Sequence, residues 1–242
     1  MKKRINVTVW NETEKDQNAY PEGIHAVIAD FLSKSGRFDT VRTALLCQPE
    51  HGLTQEVLNN TDVLLWWGHG FHELVADEVV DRVHQRVLDG MGLIILHSAH
   101  ASKIFHRLMG THSIRLRWRD VGELERVWII ERSHPIMAGL PDYFEVPRSE
   151  MYGETFQIPT PDELLGISWY AGGEVFRSAC TFKRGSGRIF FLGTGHEDYR
   201  IYDIPEVQQI ITNATEWAAP FSYPDVTEGY TPESPNALRG QG

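Results

Sequence analysis

Cysteine is nearly missing from this chain: its 242 residues include two, Cys47 and Cys180. Two are too few for a disulfide framework, and neither stands in a CxxC pair, so a cysteine-rich zinc site is excluded. No run of ~18 apolar residues occurs, which argues against a transmembrane helix and a membrane partner. Positive charge is also scarce. Lys and Arg number 23 against 33 Asp and Glu, a formal net charge of −10. Little is available to neutralise a phosphate backbone, so nucleic acid is not an expected partner. The opening MKKRINVTVW is basic, but its apolar run is short and gives way to NETEKDQN. That pattern suits a first strand better than a signal peptide. A cytoplasmic protein is expected, and no internal repeat is evident.

What is present is the make-up of a globular domain, with 41% hydrophobic residues and enough chain to bury a full core. Ile5 to Trp10 reads as a strand. Pro21-Glu22-Gly23 opens a helix with Ile24, Val27, Ile28, Phe31 and Leu32 at helical spacing. Further strands are expected at Thr40 to Cys47, Asp62 to Trp67 and Gly92 to Leu96. Helices are expected at Ala76 to Leu88 and from about Ala99 to Met109. Continuous apolar strands alternating with amphipathic helices imply a parallel sheet covered on both faces.

The alternation stops near Gly110. Arg115 to Ile130 resembles strand material, and three β-rich runs follow around Gly166–Trp169, Val175–Phe182 and Arg188–Leu192. Lys183 to Gly187 forms a hairpin turn between the last two, and Pro205 to Trp217 is a closing helix. The expected fold class is α/β: three αβα layers around a mostly parallel, flavodoxin-like sheet. One domain is expected over residues 1–219, and an extended Pro-rich tail over residues 220–242.

Ligands of open parallel sheets bind beyond the carboxyl ends of the strands. Three histidines stand at such ends: His69 after LLWWG, His97 after GLIIL and His196 after IFFLGTG. Neutral imidazole is a common metal ligand, and three histidines with a water form an open zinc arrangement. Glu197, Glu150 and Glu154 are available to fix the rings. Ser98 with His196 and Glu197 is the hydrolase alternative, set against a role for Ser98 as a helix N-cap. Cys47 and Cys180 read as core residues. Trp66 and Trp67 end a strand, where one could stack on a ligand ring or both lie in the core. Tyr152, Glu150 and Glu154 read either as binding groups or as a solvated loop, and His134 as the stabiliser of a turn.

The stretches WWGHGFHELV, GLIILHSAHASKIFHRLMGT, HPIMAGLP and EMYGETFQIPTPDELLGISWYAGGEVFRSACTFKRGSGRIFFLGTGHE together resemble the ThuA family, the trehalose-utilisation proteins. The resemblance runs from about Ile5 to Trp217. It implies a fold similar to the class I glutamine amidotransferases. The nucleophilic cysteine of that superfamily stands on a strand–helix elbow, which here is His97-Ser98, without a thiol. His196-Glu197 matches its His and Glu, but the proline usual between them is missing. His69 falls near the loop that forms the amidotransferase oxyanion hole. Glutamine hydrolysis through a thioester is therefore not expected.

The resemblance further implies use of trehalose or related disaccharides beside a sugar oxidoreductase that makes 3-keto sugars. The resulting expectation is a carbohydrate-modifying enzyme of isomerase or hydrolase type. A divalent metal, zinc foremost, would be held by His69, His97 and His196. Glu197 and Glu150 would move protons, and Trp67, Tyr152 and His100 would bind substrate. No nucleotide cofactor is expected, and self-association is. A non-catalytic sugar-binding or partner protein is the alternative from another class.

Overall fold

The computed structural model describes residues 5–13, 19–111 and 114–220; all but the first residue of the expected tail lies outside them. The chain begins with β1 (Asn6–Asn11), α1 (Ile24–Lys34), β2 (Thr40–Leu45), α2 (Gln55–Asn59), β3 (Val63–Trp67), α3 (Asp77–Leu88), β4 (Gly92–Leu96) and α4 (Lys103–Met109). Four strands follow almost without helix: β5 (Arg117–Ile129), β6 (Tyr143–Gly153), β7 (Glu163–Tyr170) and β8 (Val175–Arg184). The chain returns through β9 (Gly187–Leu192) and closes with α5 (Pro205–Ala218).

All nine strands join one sheet in the order β2-β1-β3-β4-β9-β8-β7-β5-β6. The α/β class holds, but the expectation of a mostly parallel, flavodoxin-like sheet requires correction. The four pairings among β2, β1, β3, β4 and β9 are parallel. The four among β9, β8, β7, β5 and β6 are antiparallel. The reason is in the connections. Parallel neighbours need a crossover of a dozen or more residues, whereas the tight turn at Gly185-Ser186 returns β8 straight into β9. Strand composition follows the split. VLLWW and GLIIL are buried throughout, while β5 turns Arg126 and Trp128 outward between buried Glu125, Val127 and Ile129.

Two apolar clusters sandwich the parallel half. Ile24, Ile28 and Leu32 of α1 and Val207, Ile210 and Ile211 of α5 pack with Val63, Leu65 and Trp67. On the other face, Leu58 of α2, Val79 to Val87 of α3 and Phe105 of α4 pack with Leu64, Trp66 and Ile95. Burying each such side chain contributes about 1.5–3 kcal/mol. Among the described residues no helix is long and apolar enough to cross a membrane.

Several local expectations also change. Residues His97–Ala101 form a 3-10 turn, and α4 starts only afterwards; its N-cap is Ser102, whose side chain accepts from the Phe105 amide, not Ser98. Cys47 is exposed while Cys180 is buried. The stretch read as a polar loop around Glu150 is the end of β6. This strand has the sheet edge, where Pro147 is tolerated and outward residues are polar.

Candidate functional site

The carboxyl ends of β3, β4 and β9 lie side by side, so His69, His97 and His196 meet there. Their ring centroids are 6.5 Å (His69–His97), 5.2 Å (His69–His196) and 5.3 Å (His97–His196) apart. His97 occupies the elbow in the left-handed region, with φ 51, a backbone that non-glycine residues adopt at a cost. Its Nδ1 donates to the Gly193 carbonyl at 2.8 Å. That bond turns Nε2 inward, the orientation usual for a metal-binding imidazole. Gly195 lets the chain turn into His196, since a Cβ there would lie 2.3 Å from Tyr202 Oη.

β6 adds Glu150 and Tyr152 from one face, because residues two apart on a strand point the same way. Glu150 Oε2 lies 3.0 Å from His97 Nε2 and 3.9 Å from His196 Nε2. Tyr152 stacks on His97 at 4.7 Å, with its hydroxyl 3.3 Å from His97 Nε2. Glu197 bonds His69 Nδ1 through one oxygen and places the other 3.6 Å from His196 Nδ1. Five side chains thus form two overlapping groups of ligand atoms that share His196. His97, Glu150 and His196 are buried, while His69 and Glu197 stand on the open side. At the rim, Asp120 and Asp198 form a third group with His196.

Electrostatics bear on what the cluster can hold. Glu150 Oε2 and Glu197 Oε2 are buried and meet no donor in hydrogen-bonding geometry. Burial pushes both carboxyls up, but their histidine neighbours outweigh it and hold both below the usual range. The bond to Glu197 raises His69 against the opposing effect of burial. Burial, with the charge of His97, lowers His196. Burial drives His100 down to about 3, so its ring is neutral. Two carboxylate oxygens that face imidazoles outside hydrogen-bonding geometry fit a divalent cation such as zinc. One feature opposes this. The Asp198 amide donates to His196 Nδ1 at 3.1 Å, which puts the neutral ring's proton on Nε2. A cation at Nε2 requires that proton to leave or change nitrogen.

A cavity of about 190 Å³ opens over the cluster, lined by His69, Ser98, His100, Glu150, Tyr152 and Trp118 among others. His100 and Tyr152, expected as substrate-binding groups, both line this cavity. Trp67 does not: it is 1% exposed and packed in the core. Trp118, 67% exposed at the cavity mouth, is the aromatic that sequence reasoning missed. Its signal was an indole between arginines on a half-exposed strand. Ser98 bonds Tyr152 Oη at 2.9 Å, and none of the described hydrogen bonds joins it to His196 or Glu197. Glu154 serves Arg177 instead. His134 accepts from the Ile136 amide at 3.2 Å, the turn-stabilising role expected of it. Glu12, also missed, accepts from the Gly70 and Phe71 amides and holds the loop behind His69.

The family model ThuA, described as trehalose utilisation, matches residues 6–218. Among solved structures, a ThuA-like protein from Parabacteroides merdae aligns with TM-score 0.66 at 19% identity, covering 92% of this chain and 94% of that one. A cytoplasmic protein from Salmonella typhimurium aligns with TM-score 0.62 at 13% identity, covering 90% and 100%. A β-galactosidase from Rahnella sp. R3 aligns with TM-score 0.57 at 11% identity over 90% of this chain and 32% of that enzyme. At such identities these likenesses show the fold alone. No curated protein matches.

Proposed function

The chain belongs to the ThuA family, and on that premise we propose that it is a metal-dependent enzyme acting on a sugar or 3-keto sugar in disaccharide use. The observation that carries the metal is the convergence of two buried carboxylate oxygens, Glu150 Oε2 and Glu197 Oε2, on three imidazoles without a partner in hydrogen-bonding geometry. The buried group His97, Glu150 and His196 is the seat of the cation. Glu150 thereby becomes a ligand as well as a candidate base, and His69 moves from ligand to partner of Glu197 in proton transfer. A divalent metal held there would polarise a sugar carbonyl or activate water. Isomerisation, epimerisation and hydrolysis all use that chemistry. Trp118 stacks on the sugar ring and Tyr152 and His100 bound the cavity, which is smaller than the ~300 Å³ and upward of drug-sized sites and suits one sugar ring. The proposal extends to a sugar oxidoreductase as functional companion, to self-association and to a cytoplasmic setting.

Metal analysis of tag-free protein tests this. About one equivalent of zinc or another divalent metal is expected, and His97→Ala or Glu150→Gln should abolish both metal and turnover; below roughly a tenth of an equivalent the proposal is overturned. A second reading draws on the Asp198–His196 bond. With its proton on Nε2, His196 is a general acid opposite Glu150, and no metal takes part. Turnover of a keto sugar that survives exhaustive chelation selects this reading.

A further inference from the structure

We propose that Glu125 is a positioning residue that sets the distance between Glu150 and His196; the inference rests on the reading of those two residues as parts of the reacting site. Glu125 lies on the interior face of β5 in line with Val127 and Ile129, where strand alternation calls for an apolar side chain, and it is 0% exposed. It enters no ion pair among the described residues. Three hydroxyls satisfy it instead. Ser149 Oγ donates to Oε2 at 2.8 Å, while Ser168 Oγ and Thr194 Oγ1 donate to Oε1 at 2.6 and 2.7 Å.

The position of the donors gives this network its meaning. Ser149 immediately precedes Glu150 on β6, and Thr194 comes two residues before His196 beyond β9. Each holds a segment that carries a site residue. Ser168 lies on β7 and carries none. A buried carboxylate is costly unless fully hydrogen-bonded, and an apolar residue would fill the same place at lower cost. What the carboxylate adds is a fixed joint: an acceptor-only group that commits three hydroxyl hydrogens and ties β6 to the His196 segment across β5. A register shift between Glu123 and Glu125 in the pairing of β5 with β6 lies at this joint, as is common beside functional sites.

The three donors provide the test and its internal control. Ser149→Ala, Thr194→Val and Ser168→Ala each remove one bond to Glu125; Ser149→Ala also removes the longer bond of that hydroxyl to the Glu150 carbonyl at 3.2 Å, so Thr194→Val against Ser168→Ala is the decisive comparison. Affinity for Co²⁺ is measured by competition with a chelator, and the ring ¹⁵N shifts of His97 and His196 are recorded in metal-free protein. Ser149→Ala and Thr194→Val should weaken Co²⁺ binding about 10-fold or more, as loss of an outer hydrogen-bond partner does, and should move the His97 or His196 ring signals. Ser168→Ala should leave affinity within about twofold and the rings unmoved, even where it lowers stability as much as the others. Equal effects of all three variants, or none, overturn the proposal. If wild-type protein binds no Co²⁺, the metal reading fails separately, and the ring shifts alone decide the role of Glu125 by the same criterion.

Discussion

His97 combines a strained backbone with a fully buried ring, and such conformations persist only where the surroundings over-determine them. Here the Gly193 carbonyl, Glu150 and Tyr152 fix the ring on three sides. The tryptophans separate stability from function most cleanly. Trp67→Ala should lower unfolding free energy by about 3–5 kcal/mol, the cost of emptying a large core site. Trp118→Ala should change it by no more than about 0.5 kcal/mol yet raise KM for the sugar. Urea titration and steady-state kinetics check the two, and the reverse pattern would return Trp67 to the site.

The His69–Glu197 pair gives a pH signature in metal-free protein. His69 has a raised folded pKa, so its contribution is full below the unfolded value near 6.5 and is lost as pH climbs through the folded value. Glu197 has a lowered folded pKa, so its contribution is full above the unfolded value near 4.3 and is lost as pH falls through the folded one. Both operate between about pH 4.5 and 6.5. The stability gap between wild type and Glu197→Gln should therefore be wider near pH 5.5 than near pH 8.5 in urea titrations. A gap that widens toward alkaline pH contradicts the pairing.

At the scale of elements, the elbow after β4 is a junction in two steps. The 3-10 turn His97–Ala101 presents side chains to the cavity, and α4 begins only at the Ser102 cap. Ser102→Ala should cost about 1 kcal/mol of stability in urea titration, the usual value of an N-cap. An unchanged midpoint shows that α4 does not depend on it. The sequence marked β1, β3, β4 and α3 well, since continuous apolar runs and helical spacing are local signals. It marked β6 poorly, because an edge strand with Pro147 and outward polar residues looks like a loop until it pairs with β5. Two of the groups closest to the three imidazoles, Glu150 and Tyr152, lie on that strand. Glu125 was hidden for a related reason. A glutamate in ELERVWI reads as an outward residue unless the register is known.

At the scale of the molecule, β9 belongs to both halves of the sheet, pairing with β4 on one side and β8 on the other. Asn213 of α5, from the helical layer, donates to the Ile136 and Ala138 carbonyls ahead of β6. The halves should thus unfold together. The helical far-UV signal, which comes from helices on the parallel half, and tryptophan fluorescence, to which Trp128 and Trp169 contribute, should share one urea midpoint. Two midpoints indicate separable halves.

The sequence by itself determined the α/β class, the histidines at three strand ends and the lack of a thiol at the elbow. These depend on periodicity and residue type, which act over a few neighbouring positions. Only the tertiary structure decided that half of the strand pairings are antiparallel, that Trp118 and not Trp67 faces the cavity, and that the cluster divides into a buried group and an open pair around His196. Those features depend on the register between strands far apart in the chain. A shift of one residue turns every side chain to the other face, and no local pattern specifies it.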